Sequence, residues 1–245
     1  MQIEGAVALV TGANRGLGRA FAQALLEHGA AKVYAGVRDP ATVAGTELAG
    51  VQLDVTDAAQ IADAAERLTD VSIVINNAGV GHAGPTVNAS LDDARHELEV
   101  NYLGTLAVSQ AFAPVLAANG GGALVNMLSV ASFAPLPVIG TYSASKAAQW
   151  SITNSLRIEL RPQGTLVVGV HAGFVDTDLA SGLPVEKIRP EQVADATMLA
   201  IIAGEVEVLA DDHSRAVKAG LHDDHTLIYP DVARRNDAIV GRSVA

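Results

Sequence analysis

Apolar residues run along this chain in short, nearly unbroken bursts, separated by longer stretches where they recur every three or four positions. The bursts at 6–10, 32–35, 51–53, 72–75, 123–127 and 166–170 predict strands covered on both faces, because a strand with one wet face would alternate. Between them, Leu17, Phe21, Ala24 and Leu25 share one helical face, and Gly29 beyond them is placed as a C-terminal cap. Ser90 with Asp93 resembles a capping box, opening a helix with room to run to Asn119-Gly120. Strands alternating with helices predict an α/β chain, a doubly wound parallel sheet with helices on both faces. No linker, repeat or low-complexity block interrupts the pattern, so residues 1–245 read as a single domain. Its less regular parts are a short substrate loop at about 178–190 and a tail at about 212–245, where the pattern weakens.

The first burst runs directly into Thr11-Gly12-Ala13-Asn14-Arg15-Gly16-Leu17-Gly18, where the first helix opens. Glycines at a strand-to-helix turn let the backbone bend sharply and approach a pyrophosphate. The helix start adds free N–H groups and the positive end of its dipole. A tight turn with no ligand also uses glycine, but the position between first strand and first helix favours a nucleotide. The spacing is G-x-x-x-G-x-G, with more residues between the first two glycines than in the common dinucleotide fingerprint.

Composition narrows the picture. A chain of 245 residues folded as one unit buries roughly 70–75% of its unfolded surface. It is 49% hydrophobic but only 4% aromatic, so the core is largely Ala and Val, which suits helices packed closely on a sheet. The net charge of −11 and the lack of a basic stripe argue against nucleic acid. The absence of Cys excludes disulfides, thiolate catalysis and Cys-based metal sites. No apolar stretch approaches about 18 residues, and the start resembles no signal peptide. No membrane span is therefore expected, and a cytoplasmic location is. Among the seven histidines, His222-Asp223-Asp224-His225 is the densest cluster and reads as a solvated turn. No metal is expected, and His171 reads as a packed residue at a strand end.

Further motifs follow in order. Asn76-Asn77-Ala78-Gly79 closes the fourth burst, Asn101 lies on the next helix, Ser129, Tyr142 and Lys146 form S-x(12)-Y-x-x-x-K, and Ala172-Gly173 leads to Thr177. With the glycine turn, these resemble the short-chain dehydrogenase/reductase family over roughly residues 5–210. The resemblance implies a Rossmann-like fold and a dinucleotide. The glycine turn would hold it through Thr11, Gly12, Asn14, Arg15, Gly16, Leu17 and Gly18, and the next strand ends through Asp54, Val55, Asn77, Ala78 and Gly79. Gly173, Val175 and Thr177 would complete that set. It also implies a catalytic set of Asn101, Ser129, Tyr142 and Lys146, the last two also touching cofactor. Two positions depart from the family pattern. Ala172 replaces the usual Pro, which implies a more mobile cofactor loop, and Leu128 replaces a second Ser, with no chemical consequence expected.

The chemistry suits these residue types. Hydride transfer to a ketone creates negative charge on oxygen, which calls for a proton donor. The ordinary pKa of a tyrosine, about 10, is too high for efficient work near neutrality. Tyr142 and Lys146 share a helical face, and an ammonium beside the phenol favours phenolate and lowers its pKa. Ser129 would hydrogen-bond the substrate oxygen. By resemblance, Lys146 also holds the nicotinamide ribose, and Asn101 holds a water that links Lys146 to solvent.

Counting about 20 residues beyond the glycine turn reaches Arg38, where NAD-binding folds place an acidic residue. A guanidinium there pairs with the 2′-phosphate of NADP, and Arg15 matches a basic residue that NADP(H)-using members often carry. The counter-argument is Asp39, one position on, but Asp39-Pro40 reads as the turn after the strand. NADP(H) is therefore the expected cofactor. The walls of the pocket are expected from Gly81-His82, from 130–137 and from 174–183. Phe133, Leu136, Phe174, Leu179 and Leu183 there suggest an apolar ketone, aldehyde or alcohol. Trp150 and Ile152, among Ala147, Ala148 and Ser151, put apolar residues on more than one helical face. With the family's habit of assembling through this helix and the one after Ser90, they suggest a homotetramer, or else a homodimer. A silent cofactor sensor would be expected to lack Tyr142 or Lys146. A sugar-nucleotide epimerase usually carries T-G-x-x-G-x-x-G and a larger region after Thr177.

Overall fold

The apolar bursts form parallel strands: β1 (Val7–Thr11), β2 (Lys32–Val37), β3 (Ala49–Gln52), β4 (Ile73–Asn76), β5 (Ala123–Met127), β6 (Leu166–His171) and β7 (Glu207–Leu209). In this computed structural model, which describes residues 1–181 and 185–241, they are ordered β3-β2-β1-β4-β5-β6-β7. Val10 of β1 stands opposite Ala35 on one side and Ile75 on the other. The chain winds outward from β1 to β3, returns past β1 and winds outward again to β7. Where that winding reverses, the carboxyl ends of β1 and β4 frame a crevice, the place at which open parallel sheets bind ligands.

Helices α1 (Gly16–Glu27) and α6 (Pro190–Ala203) cover one face of the sheet, where Phe21, Leu25, Met198 and Ile201 are fully buried. Helices α2 (Ala58–Arg67), α4 (Thr105–Ala118) and α5 (Gly140–Glu159) cover the other, around Ile61, Phe112, Leu116 and Leu156. Each large apolar side chain buried this way stabilises the fold by about 1.5–3 kcal/mol. The result is one Rossmann-like domain.

Between β4 and α4, α3 (Leu91–Glu97) opens at Ser90, whose hydroxyl accepts from the backbone N–H groups of Asp92 and Asp93. The expected helix does run to Ala118, but through a π-helical stretch, Leu98–Gly104, that joins α3 to α4. By length and composition alone, Leu91–Ala118 would cross a membrane, contrary to the expectation from unbroken apolar runs. Its Val108, Phe112 and Leu116 side is buried on the sheet, as in the core helix of a globular domain.

Up to residue 241 the tail, where the sequence pattern weakens, is largely helical. α7 (Asp212–Ala219) follows β7, and α8 (Tyr229–Val240) folds back over the crevice. Of the apolar residues expected to wall the pocket, Leu183 lies outside the described residues.

Candidate active site

The crevice widens into a cleft of about 1860 Å³ that runs from the glycine turn across the strand ends to α8. Backbone geometry shapes its first end. Gly16 has φ +51, a left-handed conformation that a side chain strains. A Cβ on Gly18 would run into the carbonyl oxygen of Gly12, so only glycine lets α1 start this close to β1. At the start of α1 the Arg15 side chain makes no capping hydrogen bond to the helix, which leaves the first-turn N–H groups free to receive an anion. These features fit a dinucleotide pyrophosphate.

Of the residues expected to hold cofactor, Gly12, Asn14 to Gly18, Arg38, Asp54, Val55, Asn77 to Gly79, Gly173, Val175 and Thr177 all line this one cleft. Thr11 does not. It is buried behind the turn, where its hydroxyl accepts from the N–H groups of Asn77 and Ala78 at 3.0 Å each. Asn77 Nδ2 in turn donates to the Thr11 carbonyl at 3.0 Å. Thr11 therefore ties the ends of β1 and β4 together instead of facing a ligand. Arg38 is exposed at the end of β2. Its neighbour Asp39 accepts from the Ala41 N–H at 3.0 Å and so caps the turn after the strand, as its sequence suggests. Burial raises the proton affinity of Asp54, but hydrogen bonds from Thr56, with help from Arg38 and His96, hold its carboxyl below the usual range.

At the middle of the cleft, β5 delivers Ser129 and the first turns of α5 deliver Tyr142 and Lys146. Lys146 Nζ is 5.8 Å from the centre of the Tyr142 ring. It donates to the Met127 carbonyl and to Gln149 Oε1, both at 2.8 Å. Asn101 stands beside them in the π-helical stretch. Its amide donates to the Val80 carbonyl at 2.8 Å and to Ser145 Oγ at 2.9 Å, and its oxygen accepts from the Val80 N–H at 2.9 Å.

The short chain dehydrogenase family model matches residues 6–187. The chain belongs to the short-chain dehydrogenase/reductase family. This dehydrogenase/reductase is 33% identical over 207 residues to an uncharacterised oxidoreductase of Staphylococcus epidermidis, covering 80% of this chain and 90% of that one. A short-chain dehydrogenase of Burkholderia cenocepacia, solved in complex with NADP, superposes with a TM-score of 0.90. It is 41% identical, over 95% of this chain and 99% of that one. A family member from Burkholderia phymatum, solved with NAD, gives a TM-score of 0.81 at 26% identity, over 100% and 98% of the two chains.

The electrostatics of this family member differ from the expectation for Tyr142. Burial pushes its hydroxyl up to about 12, hydrogen bonding to Ser129 opposes that, and the charge of Glu97 adds to it. Burial also pushes Lys146 down to about 7. The expected lowering of the phenol by a neighbouring ammonium is therefore not realised in the protein alone. The ammonium faces Met127 and Gln149 instead, and desolvation outweighs it.

Sequence reasoning missed several neighbours of the site. Gln149 links Lys146 to Thr105, to whose hydroxyl it donates at 2.8 Å. Its position three residues after Lys146 on one helix was the available signal. Asp211 accepts from the Gly173 N–H at 2.6 Å and from the Ser214 N–H at 2.6 Å, so it ties the cofactor loop to the start of α7. His171 is packed, as expected. Its ring stacks on Phe133 at 3.9 Å and lies 3.1 Å from both Ser132 Oγ and the Ser129 carbonyl. Phe133 thereby leaves the pocket wall assigned to it, whereas Leu136, Phe174 and Leu179 line the cleft. The tail adds Leu227, Ile228 and Val232. His222 and His225 are exposed on it beside Asp223 and Asp224, and no metal-binding cluster forms among the described residues.

Proposed function

We propose that this enzyme interconverts a carbonyl and an alcohol using NADP(H), with Tyr142 as the acid or base. The observation that carries the reading is the convergence of Ser129, Tyr142 and Lys146 in a cleft continuous with the glycine turn. A nicotinamide dinucleotide bound there supplies or accepts the hydride. The chain supplies the rest. In the reducing direction Tyr142 gives its proton to the oxygen that becomes the alcohol, and Ser129 hydrogen-bonds that oxygen as its charge develops. Lys146 holds the ribose and, near neutrality, gains and loses its own proton readily. Asn101 orders the route by which Lys146 is resupplied from solvent.

NADP(H) is favoured over NAD(H) by the exposed Arg38 at the end of β2, by Arg15 in the turn and by the capping role of Asp39. The Burkholderia cenocepacia relative, solved with NADP, points the same way. The substrate we assign is an apolar ketone, aldehyde or secondary alcohol, because Leu136, Leu179, Leu227 and Val232 line the cleft beyond Tyr142. Arg234 and Arg235 also reach it, but both are paired with Asp231, at 3.1 and 2.6 Å. Exposed Leu98 and Leu103 in the π-helical stretch, with Ile158 near the end of α5, support a homotetramer, with a homodimer as second choice. Light scattering that gives a monomer at micromolar concentration would refute that assembly. A cytoplasmic site of action completes the proposal.

The test is NADPH consumption against a panel of carbonyls. Turnover of hydrophobic aryl or alkyl ketones, faster than that of keto acids and faster with NADPH than with NADH, is the expected result. Preference for keto acids would overturn the substrate class, and preference for NADH the cofactor.

A further inference from the structure

Glu97 is an acidic side chain that the chemistry above leaves unused, and it is wholly buried. It closes α3 four positions before Asn101, so the two side chains leave the helix on one face. From there they hold the segment that follows β4. Asn101 grips Val80 by both its N–H and its carbonyl, and Glu97 Oε1 accepts from the His82 N–H at 2.7 Å. Gly81, between the two anchored residues, packs against Tyr142. A Cβ there would stand 3.0 Å from Cδ2 of the ring. The second carboxylate oxygen of Glu97 is buried with no partner. Removing a charged group from water is costly, and a carboxylate with a purely structural role normally has both oxygens hydrogen-bonded.

We propose that Glu97 is a positioning residue for Tyr142: through the His82 backbone it holds Gly81 against the phenol ring, and it places a buried carboxyl on the far side of that segment. The inference rests on Tyr142 being the proton donor. The two effects act together. The clamp fixes the orientation of the ring, and a nearby negative charge opposes phenolate, in line with the contribution of Glu97 to the high proton affinity of Tyr142. Other titratable groups among the described residues surround the pair. His82 Nδ1 is 3.5 Å from Glu97 Oε1, Asp93 is 3.8 Å from His82 Nε2, and the His96 ring is 6.0 Å from that of His82. Lys146 reaches in from α5, and Asp54 lies beyond His96.

Two variants separate charge from clamp. Glu97→Gln keeps an acceptor for the His82 N–H and removes the charge. Glu97→Leu removes both. The readout is the pH profile of kcat/KM for carbonyl reduction at saturating NADPH, with the melting temperature of each variant recorded. Removing a negative charge makes phenolate easier to form. The alkaline limb of Glu97→Gln therefore moves to lower pH, by on the order of one pH unit. Glu97→Leu shows the same displacement and, in addition, a loss in kcat of about 10-fold or more at every pH, as the ring loses its support. His82→Ala keeps the backbone N–H that Glu97 holds, so its limb stays where the wild type has it, whatever its rate. A Glu97→Gln profile superposable on the wild type overturns the proposal, as does a His82→Ala limb displaced equally far. If Tyr142→Phe keeps full turnover, the reading of Tyr142 itself fails. If that variant is inactive and the Glu97→Gln profile is unchanged, only the present inference fails.

Discussion

The two ends of the cleft treat charge in opposite ways. At the end we assign to adenosine, charged groups stand in water. Arg15 and Asp178 are 2.6 Å apart, yet their side chains keep 70% and 74% of their exposure, and Arg38 is exposed. At the Tyr142 end they are out of water. Lys146 retains 3% of its surface, and Glu97 and His171 none. Exposed charges are screened by salt and contribute modestly, but they tell one anion from another. Buried groups cannot ionise freely, so desolvation moves their proton affinities well away from the ordinary values, as for Lys146 and His171. On this reading one end of the molecule selects a polyanion and the other manages a proton, and different perturbations should address each.

The largest expected effect is at the buried end. Burial pushes His171 down from 6.5 to about 4, although the Ser129 carbonyl and Glu207 oppose it. Between those pH values the unfolded chain binds a proton that the folded chain refuses. Stability from this residue is therefore complete above pH 6.5 and falls with pH toward 4, by on the order of 3 kcal/mol. Urea unfolding at several pH values should show a flatter acid slope for His171→Gln. Parallel slopes would mean that the imidazole titrates normally.

Next comes Arg38→Asp at the exposed end. Charge-assisted hydrogen bonds at about 1.5–3 kcal/mol make a shift on the order of 10²-fold in the NADPH-to-NADH ratio of kcat/KM. An unchanged ratio would remove Arg38 from the cofactor site. Salt should separate the two ends more gently. Raising ionic strength from about 0.05 to about 0.5 M is expected to weaken NADPH binding several-fold while leaving the alkaline limb of Tyr142 in place. A limb that moves with salt would place that proton chemistry in water. The smallest effect is at Asp178. Its exposed pair with Arg15 is worth no more than about 1 kcal/mol, so Asp178→Asn should change NADPH affinity by less than about 5-fold. A larger change would show that Asp178 controls access to Arg15.

What was legible in the sequence follows the same division. β1, β2, β4, β5 and β6 announced themselves because both of their faces are largely buried, as at Ile73–Asn76, whereas the edge strand β3 showed only through its short apolar burst around Val51. Most of the cofactor-side residues were legible because backbone geometry demands them, Gly16 and Gly18 most of all. β7 was not, because Glu207-Val208-Leu209 is a three-residue edge strand with a half-exposed Glu. Among the described residues it pairs with β6 alone, through Val208 opposite Val170 and its neighbours. α8 was overlooked because its Arg and Asp residues resemble a solvated tail, although Tyr229-Pro230 marks a helix start. Glu97 is the clearest case. On one helix a Glu beside His96 reads as solvent-facing, and only the return of the chain after β4 buries it. Thr11 shows the converse, a motif residue whose hydroxyl serves the fold behind the site.

The most direct measurement is turnover of Tyr142→Phe, which keeps the ring packed on Gly81 and removes only the hydroxyl. Single-turnover reduction of a hydrophobic ketone should slow by at least ~10²-fold, the scale of positioned acid–base catalysis, with NADPH binding as tightly as before. Near-normal turnover in a variant that binds NADPH and melts like the wild type would contradict the assignment of Tyr142 as the proton donor.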